Sequence, residues 1–303
     1  MKIILFAYRD CGYECLNYLL ENDIKPALVV IPKIEDENET IFKSVKKLAL
    51  SANVNFFDYD MNSDDLKNEI SILKPDYAFS CYFPYIINMN ILDLFNKTCL
   101  NIHGGILPNY RGALSSVWSI INNEKFSGST IHLMTNKIDC GDIVEIKKCK
   151  ISEHDTGFSL YKKIEIISVT LFKKYIQSIY ENNKIITVSQ SLNSGNYYDR
   201  KLPFNGRIDW SWRSQAIFNY CRAMFFPPFE SATSLLNGEK FEFKSVFKTN
   251  TPSMKAPGEV VSIGETSLTI ATSDFDVLVD ANNFNIKQFH KLNKHNKMSL
   301  CFK

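Results

Sequence analysis

Many shortcuts to a function are missing from this sequence. Its eight cysteines are scattered and form no C-x-x-C pair, which argues against zinc ribbons and thioredoxin-type redox motifs. No apolar run reaches about 18 residues, so no membrane-spanning helix is expected. The apolar start, Met1 to Tyr8, is too short for a signal peptide before it meets Arg9 and Asp10. There is no internal repeat and no low-complexity tract. A dinucleotide fold wants G-x-G-x-x-G after its first strand; here Tyr8-Arg9-Asp10-Cys11-Gly12 supplies one glycine, and G-x-x-x-x-G-K-[ST] is absent as well. The net charge of +2 implies no field for nucleic acid or a membrane surface. Only five histidines occur, so each placement carries information.

What is present reads as an ordinary globular protein. The chain of 303 residues, 45% hydrophobic and 22% charged, is long enough for two domains. Several cysteines lie in apolar runs, where a free thiol acts as a small hydrophobe; reduced thiols in a cytoplasmic protein are expected. Strands are expected over 3–8, Ala27–Ile31, Asn53–Tyr59, Tyr77–Ser80 and Cys99–Ile102. Helices are expected from Cys11 (capped by Asp10), over Ile41–Leu50, and from Ser63 as cap through Leu73. A short helix near Asn90–Phe95, a helix over Ser115–Asn122, strands over Ser129–Met134 and Ile143–Lys148, and a long helix over Gly157–Asn182 complete the alternation. The run Ala27–Ile31 is continuous Val and Ile, as in a sheet covered on both faces.

The fold class expected is therefore α/β, a Rossmann-like, mostly parallel sheet with helices on both faces. After about residue 200 the pattern becomes a helix over Trp210–Met224, a Phe-Pro break at Phe225–Phe229, and short strands at Ala232–Leu236, Lys240–Lys248, Gly258–Ile263, Ser267–Ala271 and Val277–Val279. These predict a smaller carboxyl-terminal β-rich, OB-like domain. The domains are read as 1–200 and 201–303. Lys287, Lys291, Lys294, Lys297 and Lys303 make the end locally basic, read as a solvated tail.

The stretch that organises the chemistry is Asn101-Ile-His103-Gly-Gly-Ile-Leu-Pro108-Asn-Tyr110-Arg111-Gly112. Residues i and i+2 of a strand share a face, so Asn101 and His103 emerge together at the strand's carboxyl end, where open α/β sheets place ligands. Asn136-Lys-Ile-Asp139-Cys-Gly141-Asp142 offers a carboxylate before a new strand. Asn101, His103 and Asp139 are read as one catalytic site. An amide N–H suits an oxyanion, an imidazole suits proton transfer near neutral pH, and a carboxylate orients the ring. No metal is needed.

These residues, with Ile138-Asp139-Cys-Gly141-Asp142-Ile-Val and the separation of Asn101 from Asp139, resemble the formyltransferases that use 10-formyltetrahydrofolate. Phe6-Ala7-Tyr8-Arg9-Asp10-Cys-Gly12 looks like the members that formylate amino groups of nucleotide-linked sugars, and Ile208-Asp209-Trp210 with the β-rich end also looks like this family. The resemblance implies transfer of a formyl group from N10-formyltetrahydrofolate to an amino-deoxy sugar on dTDP, UDP or GDP, for surface polysaccharide (O-antigen or LPS) synthesis. It implies that the folate pterin sits against backbone of Tyr85, Ile86 and Ile87 and of Thr135, Asn136, Lys137 and Ile138. Related sugar enzymes carry Arg after the Tyr-Arg-Gly unit, whereas this chain has Ala113.

For the acceptor, Tyr8 and Arg9 lie at the first strand's tip, Arg200 and Lys201 suit a diphosphate, and Tyr197, Trp212 and Phe226 suit a base. The alternative is methionyl-tRNA formyltransferase, which wants a basic surface; the early loop instead holds Glu35, Asp36, Glu37 and Glu39 against Lys33. A non-catalytic folate or sugar-nucleotide binding protein is the third reading. No nucleic-acid or membrane partner is expected, and the aromatics of the carboxyl half are compatible with a homodimer.

Overall fold

The structure is a computed structural model that describes residues 1–35, 41–60, 64–191, 194–280 and 300–303. Three expectations lie outside the described residues: the acids Asp36, Glu37 and Glu39, the Ser63 cap, and the lysines at 287, 291, 294 and 297. The chain forms two compact units. The first comprises Met1–Ser115, Phe126–Lys150 and Tyr161–Asp199; the second comprises Ser116–Lys125, Ile151–Leu160 and Arg200–Lys303.

In chain order the elements of the amino-terminal part are β1 (Ile3–Ala7), α1 (Arg9–Glu21), β2 (Leu28–Pro32), α2 (Val45–Ser51), β3 (Phe56–Tyr59), α3 (Asp65–Leu73), β4 (Tyr77–Cys81) and α4 (Met89–Leu92). There follow β5 (Thr98–His103), β6 (Arg111–Gly112), α5 (Ser115–Ile121), β7 (Phe126–Leu133), β8 (Ile143–Lys150), α6 (Gly157–Tyr180) and β9 (Tyr197–Tyr198). Seven strands form one sheet in the order β3-β2-β1-β4-β5-β7-β8. The first five run parallel, and β7 pairs antiparallel with both β5 and β8. The mostly parallel α/β architecture expected from the alternation is present.

The pleat explains why β1 and β2 are apolar throughout. Ile3, Leu5, Ala7, Val29 and Ile31 face one core with α1, α2 and the carboxyl half of α6; Ile4, Phe6, Leu28 and Val30 face the other with α3 and α4. Both faces are covered, so no polar alternation is needed.

Two helix starts of the amino-terminal part differ from expectation. Asp10 does not cap α1, which begins at Arg9 with Tyr8 as its cap residue and no side-chain cap. The Asp10 carboxylate is buried instead, accepts the Lys43 backbone N–H and pairs with Lys162. A buried carboxylate needs such donors. Helix α2 starts at Val45 rather than Ile41 because Ser44 caps it, its Oγ 3.1 Å from the Lys47 N–H. Glu35 adds to this start, its carboxylate accepting from the Ser44 hydroxyl (2.7 Å) and the Lys46 N–H (3.0 Å).

The second unit contains α7 (Ser214–Met224), then β10 (Ala232–Leu236), β11 (Glu239–Phe243), β12 (Val246–Pro252), β13 (Val260–Ile263), β14 (Ser267–Ile270) and β15 (Phe275–Asp280). Strands β10 and β11 pair, and β12-β15-β14-β13 form an antiparallel sheet. The expected single strand Lys240–Lys248 is two strands in two sheets, because the chain bends at Lys244–Ser245. The apolar positions Phe241, Phe243 and Val246 slip by one residue across that bend, a signal that the single-strand reading passes over. Helix α7 starts at Ser214 and not Trp210: Asp209 Oδ1 accepts the Ser211 N–H at 2.9 Å in a local turn, and the Trp210 indole is buried with its N–H on Ser234 Oγ at 2.9 Å.

Candidate active site

The carboxyl ends of β1, β4 and β5 form one edge of the sheet, with Ala7 opposite Cys81 and Cys81 opposite Ile102. Asn101 and His103 leave β5 at this edge on the same face. On its other side β5 pairs antiparallel with β7, and the register sets Asn101 directly opposite His132. Directly opposed residues share a face, so a second imidazole joins the site. His132 was not singled out from the sequence. Its signal, a polar residue inside Ser-Thr-Ile-His-Leu, becomes readable only once β7 is known to lie antiparallel beside β5.

Asp139 reaches this face from the turn between β7 and β8. Its Oδ2 accepts the Gly112 N–H at 2.9 Å and lies 3.4 Å from His103 Nδ1; its Oδ1 lies 3.3 Å from both Asn101 Nδ2 and His132 Nε2. The side chain is 9% exposed. Burial alone raises a carboxyl pKa, but the positive charge that His103 and His132 carry when protonated, together with the Gly112 N–H, outweighs it and holds Asp139 well below the usual carboxylate range. It is therefore ionised at any working pH.

In the uncharged rings the hydrogen bonds assign the protons. His132 Nδ1 lies 2.8 Å from the Leu133 carbonyl, so that nitrogen donates and Nε2 accepts from Asn101 Nδ2 at 3.0 Å. His103 Nε2 lies 2.7 Å from the Tyr110 carbonyl and donates there. This leaves His103 Nδ1 as the nitrogen with a lone pair, facing the Asp139 carboxylate.

The glycine-rich loop after β5 is pinned from β7. Thr130 Oγ1 donates to the Gly105 carbonyl (2.6 Å) and accepts from the Leu107 N–H (3.2 Å), while Ser129 Oγ donates to the His103 carbonyl (3.0 Å). Ser115 Oγ shares the Tyr110 carbonyl with His103. A Cβ on Gly105 would lie 2.6 Å from His103 Nε2 and 2.8 Å from Ser115 Oγ, so only glycine fits there. Gly112 has φ +89, and its missing Cβ admits the Tyr198 carbonyl.

The other expected site residues are placed as follows. Tyr8 and Arg9 follow β1 at the same sheet edge; Arg9 has φ +53, with its guanidinium 4.1 Å from the Phe42 ring centre and 5.0 Å from that of Tyr8. Tyr85 packs against Tyr59 and Phe83, Ile86 is exposed, and Ile87 is buried in the core beneath. Thr135, Asn136, Lys137 and Ile138 are exposed, with Thr135 Oγ1 bonded to the backbone of Lys137. Tyr197 is exposed, and its backbone pairs with Arg111 through the short ladder of β6 and β9, which the sequence did not announce. Arg200, Lys201, Trp212 and Phe226 belong to the second unit. There Trp212 packs edge-on to Phe204 and Tyr220, and Phe226 meets Phe158 and Phe229. Among the described residues, no group of three or more His, Cys, Asp or Glu is arranged to hold a metal ion.

A Rossmann-like sheet carrying an amide, two imidazoles and a buried carboxylate at its carboxyl edge defines the class: an α/β protein whose site offers a hydrogen-bond donor for an oxyanion beside groups able to take up a proton. The family follows from comparison with known proteins. Residues 2–175 match the formyl transferase family, and residues 203–293 match the formyl transferase C-terminal domain. The chain belongs to the formyl transferase family.

Among curated relatives, the chain is 35% identical over 283 residues to the bifunctional polymyxin resistance protein ArnA of Wigglesworthia glossinidia brevipalpis; the match covers 92% of this chain and 42% of ArnA. It is 29% identical to the methionyl-tRNA formyltransferase of Malacoplasma penetrans (strain HF-2), over 92% of this chain and 87% of that protein. Among solved structures it is similar to an N-formyltransferase from Helicobacter canadensis in complex with folinic acid and dTDP-3-aminofucose, with TM-score 0.76 and 26% identity, covering 92% of this chain and 99% of that one. It is equally similar to WlaRD, a sugar 3N-formyl transferase solved in the presence of dTDP and 5-N-formyl-THF, with TM-score 0.76 and 25% identity, covering 93% and 98%.

Proposed function

We propose that this chain transfers the formyl group of N10-formyltetrahydrofolate to the amino group of a nucleotide-linked amino-deoxy sugar, a cytoplasmic step in surface polysaccharide synthesis. The observation that carries the reading is the convergence of Asn101, His103 and Asp139 at the carboxyl edge of β5. The sugar acceptor is supported by the two solved relatives, which were seen with dTDP or a dTDP-amino sugar.

In this reading the residues divide the work. Asn101 Nδ2 has two hydrogens, now shared between His132 Nε2 at 3.0 Å and Asp139 Oδ1 at 3.3 Å. The longer contact is the one to exchange for the formyl oxygen as it gains charge. Removing one such donor typically costs ~10²–10³ in kcat. His103 Nδ1 takes the proton that the attacking amine loses and returns it to the folate N10 as the C–N10 bond of the tetrahedral intermediate breaks, so that tetrahydrofolate leaves with an N–H. In the interval Asp139 Oδ2, 3.4 Å away, accepts the ring N–H and balances the imidazolium charge. Backbone of Tyr85–Ile87 and of the Thr135–Ile138 turn is assigned to the pterin, whose edge calls for amides and carbonyls more than for particular side chains. Tyr8, Arg9 and Tyr197 are assigned to the acceptor.

The methionyl-tRNA alternative has one relative in its favour. Against it, Lys33 is paired with Asp60 at 2.5 Å, and Glu35 caps α2, so these two residues of the early loop are already engaged. The deciding experiment offers the purified chain N10-formyltetrahydrofolate with a panel of dTDP-, UDP- and GDP-linked amino sugars, and separately with methionyl initiator tRNA. Transfer to at least one amino sugar is expected. Transfer to the tRNA alone establishes the alternative, and folate binding without any transfer establishes a non-catalytic binder.

A further inference from the structure

The Asp139 turn is not held by the site residues alone. Asp139 has φ +51, a left-handed conformation that costs a non-glycine residue roughly 1–2 kcal/mol. Such a residue persists only where its surroundings over-determine it. Gln190 supplies that constraint from a distant part of the chain. Its Nε2 donates to the carbonyls of Asp139 (3.0 Å) and Gly141 (2.6 Å), and its Oε1 accepts from Arg111 Nη2 (2.9 Å). Two carbonyls on one side and a guanidinium on the other leave no ambiguity about which end of the amide points where.

Arg111 is buried, and it also donates to the carbonyls of Ser194 (3.3 Å) and Ser191 (3.4 Å). The next residue is Gly112, whose N–H binds the Asp139 carboxylate. One side chain thus grips the backbone of the turn that carries the carboxylate and the residue beside the carboxylate's own donor.

We propose that Gln190 is a positioning residue: it clamps the Asp139 turn to Arg111, so that one carboxylate meets Gly112, Asn101 and His103 together. The proposal rests on the functional reading above, in which Asp139 serves His103. Gln190 itself touches none of the reacting groups. The backbone around it is anchored independently, since Val188 and Ile143 exchange two N–H bonds of 2.8 Å. The side chain is therefore removable without unpairing that bridge.

The test compares wild type, Asp139→Asn and Gln190→Glu. The Glu variant keeps the volume and the Arg111 contact but turns an oxygen toward the two carbonyls of the turn. Loss of a residue that orients a functional ligand costs about 10- to 100-fold in the metal sites where it is best measured. The same fall in kcat is expected here, with KM for both substrates little changed. The pH profile of kcat should move in the same direction as in Asp139→Asn. A Gln190→Glu enzyme with wild-type kcat and an unmoved pH profile, beside an impaired Asp139→Asn, overturns the role of Gln190 alone. A wild type that formylates no acceptor, or an Asp139→Asn enzyme of full activity, overturns the functional reading and this role with it. Circular dichroism checks the fold. Gln190→Met, which removes the donors without adding charge, carries the same comparison if the Glu variant does not fold.

Discussion

Replacing Asp139 by Asn removes one charge and one acceptor while keeping the side chain's shape. The carboxylate lies 3.4 Å from His103 Nδ1, inside a site where the Asp139 side chain is 9% exposed. Two unit charges about 4 Å apart interact by about 4 kcal/mol at an effective dielectric of about 20. The ring carries its full charge only after the proton has moved. If about half of that interaction is realised in the transition state, about 2 kcal/mol is lost, and all of it is the upper bound. At about 1.4 kcal/mol per decade, kcat should fall between about 30-fold and about 1,000-fold. The pH profile of kcat should also move, because the charge of Asp139 is gone from the site. Steady-state kinetics across the neutral range, with the folate and the preferred amino sugar saturating in turn, measure both effects. An Asn variant within about threefold of wild-type kcat, with an unmoved profile, refutes the pairing of Asp139 with His103, since even half the interaction amounts to more.

Other outcomes follow from the same geometry. His103→Ala and Asn101→Ala should each abolish turnover yet leave folate binding intact by titration, since they act on the transition state; near-normal rates for either reject its assignment. Gly105→Ala should destabilise the fold by about 1–3 kcal/mol, because its Cβ falls 2.6 Å from His103 Nε2; an unchanged urea midpoint contradicts this. Asp139 is held ionised below the usual carboxylate range, so its stabilising contribution is full above about pH 4 and is lost as pH falls through the lower folded value. The stability gap between wild type and Asp139→Asn should therefore close only in acid, and a gap that does not depend on pH contradicts it. Burial pushes the Cys11 thiol up to about 11 and the Cys99 thiol up to about 12, so both should resist alkylation at about pH 8 until the chain is unfolded. Equal labelling rates in buffer and in urea would count against that burial.

The fold was legible because its signals are local. Continuous apolar runs such as Leu28–Pro32 announce a sheet covered on both faces, and Asn101-x-His103 announces two polar side chains on one face of a strand end. What was not legible depends on register or on distant segments. His132 enters because an antiparallel pair sets it across from Asn101, a fact that no composition of β7 reveals. Gln190 lies 51 residues from the carbonyl it holds, in a stretch without helical or strand period. Asp10 has a cap's position and chemistry, yet the Lys43 N–H and Lys162 claim it for the interior. Phe241, Phe243 and Val246 slip by one residue at the bend that sends them to two sheets, a phase change too short to be read as a break.

In the proposed reaction the formyl group passes between an amide and an imidazole. The most direct test of that passage is a crystal structure of this chain with a folate analogue and an amino-sugar nucleotide bound. The carbonyl oxygen of the analogue is expected about 3 Å from Asn101 Nδ2, with the sugar amine on the His103 side of the carbon. An analogue whose carbonyl points away from β5, with Asn101, His103 and Asp139 touching neither ligand, contradicts the account.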